Sequence, residues 1–246
     1  MTDQHKRTVQ TLLEAMPYIR RFWGATIVVV YGGIVAASAR LRAQFAADLA
    51  LLRMVGMQPL VVEVGDGKDV AAFVDAQGAE AAVVDARGDQ LTLIPAATGT
   101  TATATEGDTV STAVVTEVHT MLALEAVPVV ALGGAGTPAE SADAAAVAGA
   151  LAAALRAEKI VFVSDEGGLV SNLGSDPSVV SECDLAYVGA LTAVGHVPKE
   201  ILPTLAAVRQ ALEAGVTSAH LIDGRVEHAL LLEIMTDAGC GTKIVQ

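Results

Sequence analysis

The segment ATIVVVYGG, residues 25–33, decides the fold. Its run Ala25–Tyr31 is rich in β-branched residues and shows no polar alternation, which is typical of a strand buried on both faces. The run stops at Gly32 and Gly33, and a helical spacing of apolar residues then occupies Arg40–Val55. A buried strand, a glycine turn and a helix in this order predict one unit of a parallel α/β sheet.

The same alternation continues along the rest of the chain. Further strands are predicted at Pro59–Val64, Ala81–Asp85, Gln90–Ile94, Val127–Leu132, Lys159–Ser164, Ser218–Asp223 and Gly241–Val245. Helices are predicted at Thr8–Phe22, Lys68–Gln77, Val110–Glu125, Asp143–Ala157, Glu182–Ala193, Lys199–Ala214 and Val226–Thr236. Pro17 predicts a kink or a break in the first helix, and the Thr- and Gly-rich stretch Thr98–Thr109 predicts a flexible loop. Strands that alternate with helices predict a mainly parallel sheet in a three-layer α/β/α sandwich, with ligands beyond the carboxyl ends of the strands.

Composition excludes several classes of function. The chain has 246 residues, of which 52% are hydrophobic and only 3% aromatic, and its formal net charge is -13. A charge of this sign repels phosphate backbones, so no nucleic acid partner is predicted. The longest apolar stretch, Ala144–Leu155, is too short to span a bilayer, and the first residues lack the apolar core of a secretory signal. No membrane association is therefore predicted.

Cysteines and motifs narrow the chemistry further. Cys183 and Cys240 are far apart and in no metal-ligand spacing, which predicts two reduced thiols in a cytoplasmic protein and no metal site. None of the patterns HExxH, GxSxG, CxxC or GxxxxGK[ST] occurs. The sequence therefore gives no support to a zinc protease, a serine hydrolase, a thiol redox protein or a Walker-type nucleotidase.

Six segments carry a resemblance to a known family. They are LLEAMPYIRRFWG (Leu12–Gly24), VVVYGG (Val28–Gly33), DLALLRMVGMQPLVV (Asp48–Val62), VAGALAAALRAEKIVFVSDEGGLV (Val147–Val170), HVPK (His196–Lys199) and HLIDGRVEHALLLEIMTDAGCGTKI (His220–Ile244). In this order they resemble segments of the N-acetylglutamate kinases, a branch of the amino-acid kinase family. The resemblance runs nearly from end to end of the chain.

The resemblance implies a fold, an activity and an assembly. The expected fold is an eight-stranded, mainly parallel sheet in a single domain over residues 1–246, with lobes at about 25–140 and 141–246 and an N-terminal helix at 8–22. The implied activity is transfer of the γ-phosphoryl group of ATP, with Mg²⁺ as cofactor, to N-acetyl-L-glutamate in arginine biosynthesis. Many members with the N-terminal helix form hexamers that arginine inhibits. This implies a homo-oligomer that binds a small molecule, either arginine or an acylated amino acid.

Two segments depart from the phosphate-binding pattern of the family. Val30 stands where the resemblance places the first of two catalytic lysines, and an alkyl side chain supplies no charge to a phosphate. In the glycine-rich turn Glu63–Gly67, Val64 adds a side chain and Asp66 adds a negative charge. Lys68 is either a replacement for the missing lysine or a solvated residue at a helix start.

The long Ala-rich helix and the substrate hairpin of the family are altered as well. Counted without a gap, two asparagines that open the helix become Ser141 and Asp143, and an aspartate that orients the lysines becomes Ala145. A two-residue insertion would instead place Asp143 on that aspartate. The family's GxRVT hairpin, whose arginine holds the substrate carboxylate, has no counterpart. Arg87 is either its replacement or a surface turn residue.

Part of the nucleotide side is retained. The resemblance assigns cofactor binding to six residues: Gly32, Gly33, Gly65, Ser164, Asp165 and Gly168. Lys199 matches the second catalytic lysine of the family and carries a residual catalytic role in this interpretation. Gly65 also fits an ordinary turn, and Lys199 also fits a solvent-facing helix start.

The positions of the family's arginine-inhibition site are retained too. They correspond to Tyr18, His220, Glu233, Gly239 and Gly241. A carboxylate can pair with a guanidinium through two hydrogen bonds, and the carbonyl groups of a glycine turn can accept from an α-amino group. The alternatives are a solvated helix residue for Glu233 and a strand-edge histidine for His220. His228 has the same ambiguity between a ligand and a structural role.

Two hypotheses follow from the positions at which this sequence departs from the family pattern and those at which it retains it. The altered positions predict a catalytically silent homologue that serves as a ligand-binding, regulatory or assembly subunit, with ATP and Mg²⁺ disfavoured as cofactors. The alternative is an active ATP-dependent carboxylate kinase of the acetylglutamate kinase type with a rebuilt pocket. The overall resemblance, together with Asp165 and Lys199, supports this alternative.

Overall fold

The computed structural model of the chain describes residues 3–32, 37–86, 112–133, 138–165, 167–171 and 178–246. Its strands are β1 Thr26–Tyr31, β2 Gln58–Glu63, β3 Ala81–Asp85, β4 Val127–Ala131, β5 Lys159–Ser164, β6 Val170–Ser171, β7 Ser178–Val179, β8 Glu182–Asp184, β9 Ser218–Asp223 and β10 Gly241–Val245. Its helices are α1 Asp3–Phe22, α2 Ala39–Met54, α3 Lys68–Ala76, α4 Thr112–Ala123, α5 Pro138–Ala154, α6 Leu185–Ala193, α7 Leu202–Glu213 and α8 Ala229–Met235. A 3-10 helix at Lys199–Ile201 precedes α7.

Eight of the strands form one sheet in the order β3-β4-β2-β1-β5-β9-β10-β8. Neighbouring strands are parallel except β9 and β10, which pair antiparallel, and β6 and β7 form a separate antiparallel pair. The prediction of an eight-stranded, mainly parallel sheet is confirmed. The predicted strand Gln90–Ile94 and the predicted loop Thr98–Thr109 lie outside the described residues.

Helices cover both faces of this sheet because the central strands are apolar on both sides. In β1, Ile27, Val29 and Tyr31 belong to the core on one face, whereas Val28 belongs to the core on the other. The first face packs against α2, α3, α8 and the end of α1, and the second packs against α4, α5, α6 and α7. The predicted three-layer α/β/α sandwich is therefore confirmed. It leaves the carboxyl ends of the parallel strands at one edge and their amino ends at the other.

One predicted element is partly wrong, and of the two outcomes predicted at Pro17, a kink or a break, the break does not occur. The segment Glu182–Ala193 is not all helix, because its first three residues form β8 against β10. Asp184 then starts α6 by accepting a hydrogen bond from the Tyr187 N–H at 2.7 Å, as N-cap aspartates do. The first helix does not break at Pro17 but continues through it. The carbonyl of Leu13, which loses its helical partner there, lies on an exposed part of the helix where water can donate to it.

Within the described residues, no helix combines the length and the apolar character that crossing a membrane requires. Cys183 and Cys240 are free thiols, as predicted. Burial raises the pKa of Cys183 to about 11 and the pKa of Cys240 to about 12, and neighbouring carboxylates add to both shifts. Both thiols are therefore protonated at neutral pH, which makes them poor nucleophiles.

Candidate functional site

The carboxyl edge of the sheet brings together the ends of β1, β2 and β5. Gly32 follows β1, Gly65 follows β2, and Asp165 follows Ser164 at the end of β5. The Gly224 N–H donates to the Ser164 carbonyl at 2.8 Å, which ties the end of β5 to the end of β9. Four of the predicted cofactor residues thus share the edge at which open parallel sheets bind ligands.

Apolar packing residues occupy three positions to which the resemblance assigns phosphoryl-transfer groups. Ala145 is 1% exposed, and Val30 and Val64 pack against the same hydrophobic cluster. The turn after β2 adds the carboxylate of Asp66, whose Oδ2 lies 3.7 Å from Lys68 Nζ. Among the described residues, position 30 therefore supplies no cation, and the turn after β2 carries Asp66 and Lys68 as a pair of opposite charges. Predicted positions outside the described residues are Gly33, Arg87 and the side chains of Ser141 and Asp143.

Gly168 and Lys199, which were also predicted at the nucleotide side, have different surroundings. Gly168 is buried where a Cβ atom would lie 2.4 Å from Thr242 Oγ1 and 2.7 Å from a methyl group of Val179. The Leu169 N–H donates to the same Thr242 Oγ1 at 2.8 Å. The close approach of this loop to β10 therefore requires a glycine at position 168. Lys199 is exposed at the start of the 3-10 helix that precedes α7.

The carboxyl group of Glu63, at the end of β2, gave no signal in the sequence. Glu63 is 9% exposed, and its Oε2 has no hydrogen-bond partner in the part of the chain that the structure describes. Burial raises the pKa of Glu63 to about 7, with Asp66 and Asp69 adding to the shift and Arg42 opposing it. Tyr31 is its register partner on β1. A carboxyl that is partly protonated at neutral pH can exchange a proton but offers nothing to attract a phosphate.

Replacing Glu63 by glutamine is expected to stabilise the fold at alkaline pH and to change its stability little at acidic pH. The folded-state pKa of about 7 lies above the ordinary 4.5, so the fold favours the protonated carboxyl and its stability falls as the pH rises through this interval. Glutamine does not ionise, so the expected gain above about pH 8 is roughly 2 kcal/mol after allowance for solvent screening. Urea unfolding at about pH 5 and about pH 8.5 measures it.

The matched control for this prediction is Glu213→Gln, because Glu213 is exposed on α7. It is expected to leave the stability unchanged at both pH values. An equal gain for Glu63→Gln at both pH values would contradict the prediction, since a gain independent of pH cannot come from ionisation.

A cavity of about 380 Å³ opens at the opposite edge, beside the amino ends of β5 and β9. It is bounded by α1, by the first residues of the two strands, and by the loop that joins α8 to β10. A volume of this size lies in the range of small-molecule sites. All five predicted effector residues line it: Tyr18, His220, Glu233, Gly239 and Gly241.

Three side chains of the cavity form a buried chain of hydrogen bonds. Lys159 Nζ lies 3.0 Å from His220 Nε2, and His220 Nδ1 lies 2.6 Å from Glu233 Oε1. The second carboxylate oxygen of Glu233 accepts from the Cys240 N–H at 2.7 Å. Ser218 Oγ lies 2.9 Å from His220 Nε2 and completes the surroundings of the ring. Lys159, His220 and Glu233 are each less than one-tenth exposed.

These contacts determine the protonation states of Lys159, His220 and Glu233. Burial lowers the pKa of His220, with Lys159 adding to the effect, so the ring is neutral. Burial alone would raise the pKa of Glu233, but hydrogen bonds from His220 and from a backbone N–H bring it below its ordinary value. Burial, together with Lys243 and Arg21, lowers the pKa of Lys159 to about 8. The neutral ring therefore carries its proton on Nδ1, donates it to Glu233 and accepts from Lys159 at Nε2.

Two glycines allow the loop before β10 to pack closely against Glu233 and β9. Gly239 has a φ of 60°, and a Cβ atom there would lie 2.7 Å from Glu233 Oε2. At Gly241 a Cβ atom would lie 2.0 Å from the Leu221 carbonyl oxygen. Packing therefore requires glycine at both positions, independently of any ligand.

The rim of the cavity carries charges of both signs. Lys243 Nζ lies 3.1 Å from Glu182 Oε1. The Tyr18 hydroxyl of α1 shares a hydrogen bond with Asp237, which raises the pKa of Tyr18. Arg21 of the same helix also lines the cavity. A ligand with both a carboxylate and a cationic group suits such a rim, because each charge meets an opposite one.

Two residues of this site, Lys159 and Ser218, were missed in the sequence because each opens an apolar strand. The segments KIVFVS and SAHLID read as core strands, and nothing in their spacing relates one to the other. Lysine at the start of a buried strand was the available signal, since a lysine is almost never fully buried unless it is paired. Its partner, His220, lies on β9, and only the pairing of β5 with β9 brings the two residues together.

His228 lies at the start of α8 and contacts a different helix. Its Nδ1 lies 2.5 Å from Asp48 Oδ1 on α2. Asp48 is 2% exposed, and burial raises its pKa to about 6. This contact joins α8 to α2, which gives His228 a role in packing.

The sequence of this chain matches a known protein family. Residues 70–223 match the profile of the amino acid kinase family. The acetylglutamate kinase of Symbiobacterium thermophilum is 34% identical over 294 aligned positions that cover 100% of both chains. Because this chain has 246 residues, several dozen positions of that relative have no counterpart in it.

Solved structures share the fold at low sequence identity. N-acetylglutamate synthase from Neisseria gonorrhoeae, complexed with coenzyme A and N-acetyl-glutamate, has a TM-score of 0.71 at 19% identity, over 97% of this chain and 63% of its own. Its complex with coenzyme A and L-arginine has a TM-score of 0.66 at 19% identity, over 96% and 65%. Carbamate kinase from Giardia lamblia bound to AMP-PNP has a TM-score of 0.65 at 16% identity, over 91% and 99%.

The two kinds of comparison agree with the architecture described above. The family profile covers more than half of the chain, and the Symbiobacterium relative aligns over its full length. The solved structures support the same mainly parallel sheet between helices. The chain therefore belongs to the amino acid kinase family and resembles the acetylglutamate kinases of that family.

Proposed function

We propose that this chain is a cytoplasmic, acetylglutamate kinase-like protein that has lost phosphoryl transfer and acts as a ligand-binding regulatory or assembly subunit. The apolar packing of Val30, Val64 and Ala145, with Asp66 beside it, supports the loss of transfer, because the reaction depends on positioned cations. Two free, protonated thiols suit a reducing compartment.

The cavity built around Lys159, His220 and Glu233 is the observation that carries the ligand-binding role. Its ligand in this proposal is arginine. Each oxygen of Glu233 accepts one hydrogen bond from the protein and has a second lone pair, so the carboxylate can take a guanidinium. The cations Lys159 and Lys243 suit the carboxylate of an amino acid. The arginine complex of the structurally similar N-acetylglutamate synthase supports this choice of ligand.

The exposed apolar stripe of α1 supports a homo-oligomer. Val9, Leu12, Leu13 and Met16 lie at helical spacing and are between 50% and 63% exposed. A stripe of this kind is stabilised when it packs against another helix, here the same helix of a second copy. Tyr18 of α1 also lines the cavity, so assembly and ligand binding would use the same helix.

The alternative function is an active carboxylate kinase with a rebuilt pocket. The full-length match to an acetylglutamate kinase at 34% identity favours it. It requires ATP turnover, whereas the proposed function does not, so the two are separated by the rate of ADP release.

Arginine at 100 times its Kd is expected to stabilise the fold by about 2.7 kcal/mol, a rise in Tm of about 5–10 °C. Glu233→Gln is expected to remove most of this rise, because it replaces the carboxylate that would pair with the guanidinium by a neutral amide. Glu117→Gln is the control, since Glu117 is exposed on α4, far from the cavity in the sheet order. Thermal melting with and without arginine measures the shift. A melting curve that arginine leaves unchanged, or that shifts equally in Glu233→Gln, would end the proposal of arginine binding.

A further inference from the structure

We propose that Lys159 is a nucleophilic lysine that forms an imine with small α-oxo acids admitted to the cavity. This chemistry goes beyond ligand binding and does not depend on arginine being the ligand. It depends on three features of the structure: an amine that borders a cavity, a proton acceptor in contact with that amine, and cations that can receive a carboxylate.

The proton acceptor is the ring of His220. Lys159 Nζ lies 3.0 Å from His220 Nε2, and Glu233 Oε1 is hydrogen-bonded to the other ring nitrogen, Nδ1, at 2.6 Å. Because the carboxylate accepts from Nδ1, the lone pair of the neutral ring is on Nε2, which faces Lys159 and also the Ser218 hydroxyl at 2.9 Å. When the Ser218 hydroxyl turns away from the ring, this lone pair can take the proton of the lysine. Glu233 then stabilises the protonated ring, as an acidic partner does in a nucleophile–base–acid arrangement.

The burial of Lys159 favours its neutral form. Burial is the largest cause that lowers the pKa of the amine to about 8; Lys243 on β10 and Arg21 on α1 add to this effect, and Glu233 and Glu158 oppose it. About one-tenth of the amine is then neutral at pH 7, compared with less than one-thousandth for an ordinary lysine. Only the neutral amine has the lone pair that attacks a carbonyl carbon.

The cavity suits a small carbonyl compound that also carries a carboxylate. Lys159 lines the cavity, and its Nζ lies 5.0 Å from the centre of the Phe22 ring. The cavity has a volume of about 380 Å³. Arg21 and Lys243 line the same cavity and can receive the carboxylate. An α-oxo acid presents its carbonyl next to that carboxylate, so binding of the anion would bring the carbonyl carbon towards the amine.

The reaction is balanced by the groups in place. The lone pair of Nζ forms a bond to the carbonyl carbon while the C=O π electrons move to oxygen, and His220 carries one N–H proton from the nitrogen to that oxygen, which gives a neutral carbinolamine. His220 then takes the second N–H proton and delivers it to the hydroxyl, which leaves as water while the C=N bond forms. The products are one imine and one water, and no oxidant or reductant is consumed.

Glyoxylate with sodium cyanoborohydride tests the proposal, because the hydride reduces any imine to a stable secondary amine that mass spectrometry locates. Lys159 is expected to be labelled at least about 10-fold faster than Lys68 and Lys199, which are both exposed and serve as internal standards in the same protein. Its labelling rate is expected to level off above about pH 8, whereas the rates at the exposed lysines continue to rise. Labelling of Lys159 at or below the rate of the exposed lysines would overturn the proposal.

Variants and a competitor complete the test. Lys159→Met is expected to abolish the fast adduct, and Glu213→Gln, at an exposed position outside the cavity, is expected to keep it. A fast adduct that persists in Lys159→Met would also overturn the proposal. The comparison of lysines within the unmodified protein does not depend on whether either variant folds. If saturating arginine does not slow the fast labelling of Lys159, the result supports a reactive Lys159 and argues against arginine binding in the cavity. Arginine binding without fast labelling removes only the reactive lysine.

Discussion

With ATP, Mg²⁺ and N-acetyl-L-glutamate at saturation, this chain is expected to release ADP at least about 10³-fold more slowly than the 1–100 s⁻¹ that is typical of kinases. Removing one group that stabilises developing charge in a transition state costs about 10²–10³ in rate. The resemblance places a lysine at position 30 and, in the ungapped alignment, an orienting carboxylate at position 145, where this chain has Val30 and Ala145. Both side chains belong to the packing of one hydrophobic cluster, so neither position supplies a charge.

The comparison enzyme for this assay is the acetylglutamate kinase of Symbiobacterium thermophilum, which aligns over the full length of the chain. Measured under the same conditions with a coupled ADP assay, it provides the rate of a related kinase. Lys199→Ala of this chain is the second control, because Lys199 is the one lysine that matches the catalytic pattern. Turnover within tenfold of the relative, and lowered by Lys199→Ala, would establish the active-kinase alternative in place of the proposed function.

Gly241→Ala is expected to destabilise the fold by at least about 3 kcal/mol, which lowers Tm by about 6–12 °C. The Cβ atom of alanine would lie 2.0 Å from the Leu221 carbonyl oxygen and 2.9 Å from its carbon. These are backbone atoms of β9, which pairs with β10 through Gly241 and Ile222, so neither side can move without breaking the pairing. The loss is expected in the absence of any ligand, because it comes from packing.

Gly189→Ala is the matched control, because a Cβ atom at Gly189, within α6, meets nothing within 4 Å. It is expected to leave the fold unchanged or to stabilise it by up to about 1 kcal/mol, since alanine favours a helix. Urea unfolding of both variants without arginine measures the difference. Equal stability of the two variants would contradict the packing role assigned to Gly241.

The β-branched runs of the sequence located the central strands to within one residue. β5 and β9 have the predicted bounds Lys159–Ser164 and Ser218–Asp223, because strands buried on both faces are apolar throughout and their pattern is independent of their neighbours. The edge strand β8 was missed for the opposite reason. It has three residues, and its conformation depends on pairing with β10, which lies almost sixty positions further along the chain.

The candidate cavity shows the same division between local and distant information. The resemblance to acetylglutamate kinases assigned Tyr18, His220, Glu233, Gly239 and Gly241 to one site before their positions were known, and the structure places them around one cavity. The resemblance could not assign the protonation states of His220 and Glu233. Whether His220 is a ligand or a buried strand residue depends on Lys159 and Glu233, whose distances to the ring follow from the alignment of β5 with β9 and the position of α8.

The sequence by itself determined the alternating α/β architecture and the alkyl side chain at position 30, where the resemblance places a lysine, because both follow from residue types along a local stretch of chain. Only the tertiary structure decided that Glu63 has a pKa of about 7, that Gly241 faces backbone, and that Lys159 contacts the neutral ring of His220. Those properties depend on burial and on distances between residues far apart in the chain. The spacing of residues in a sequence does not contain either quantity.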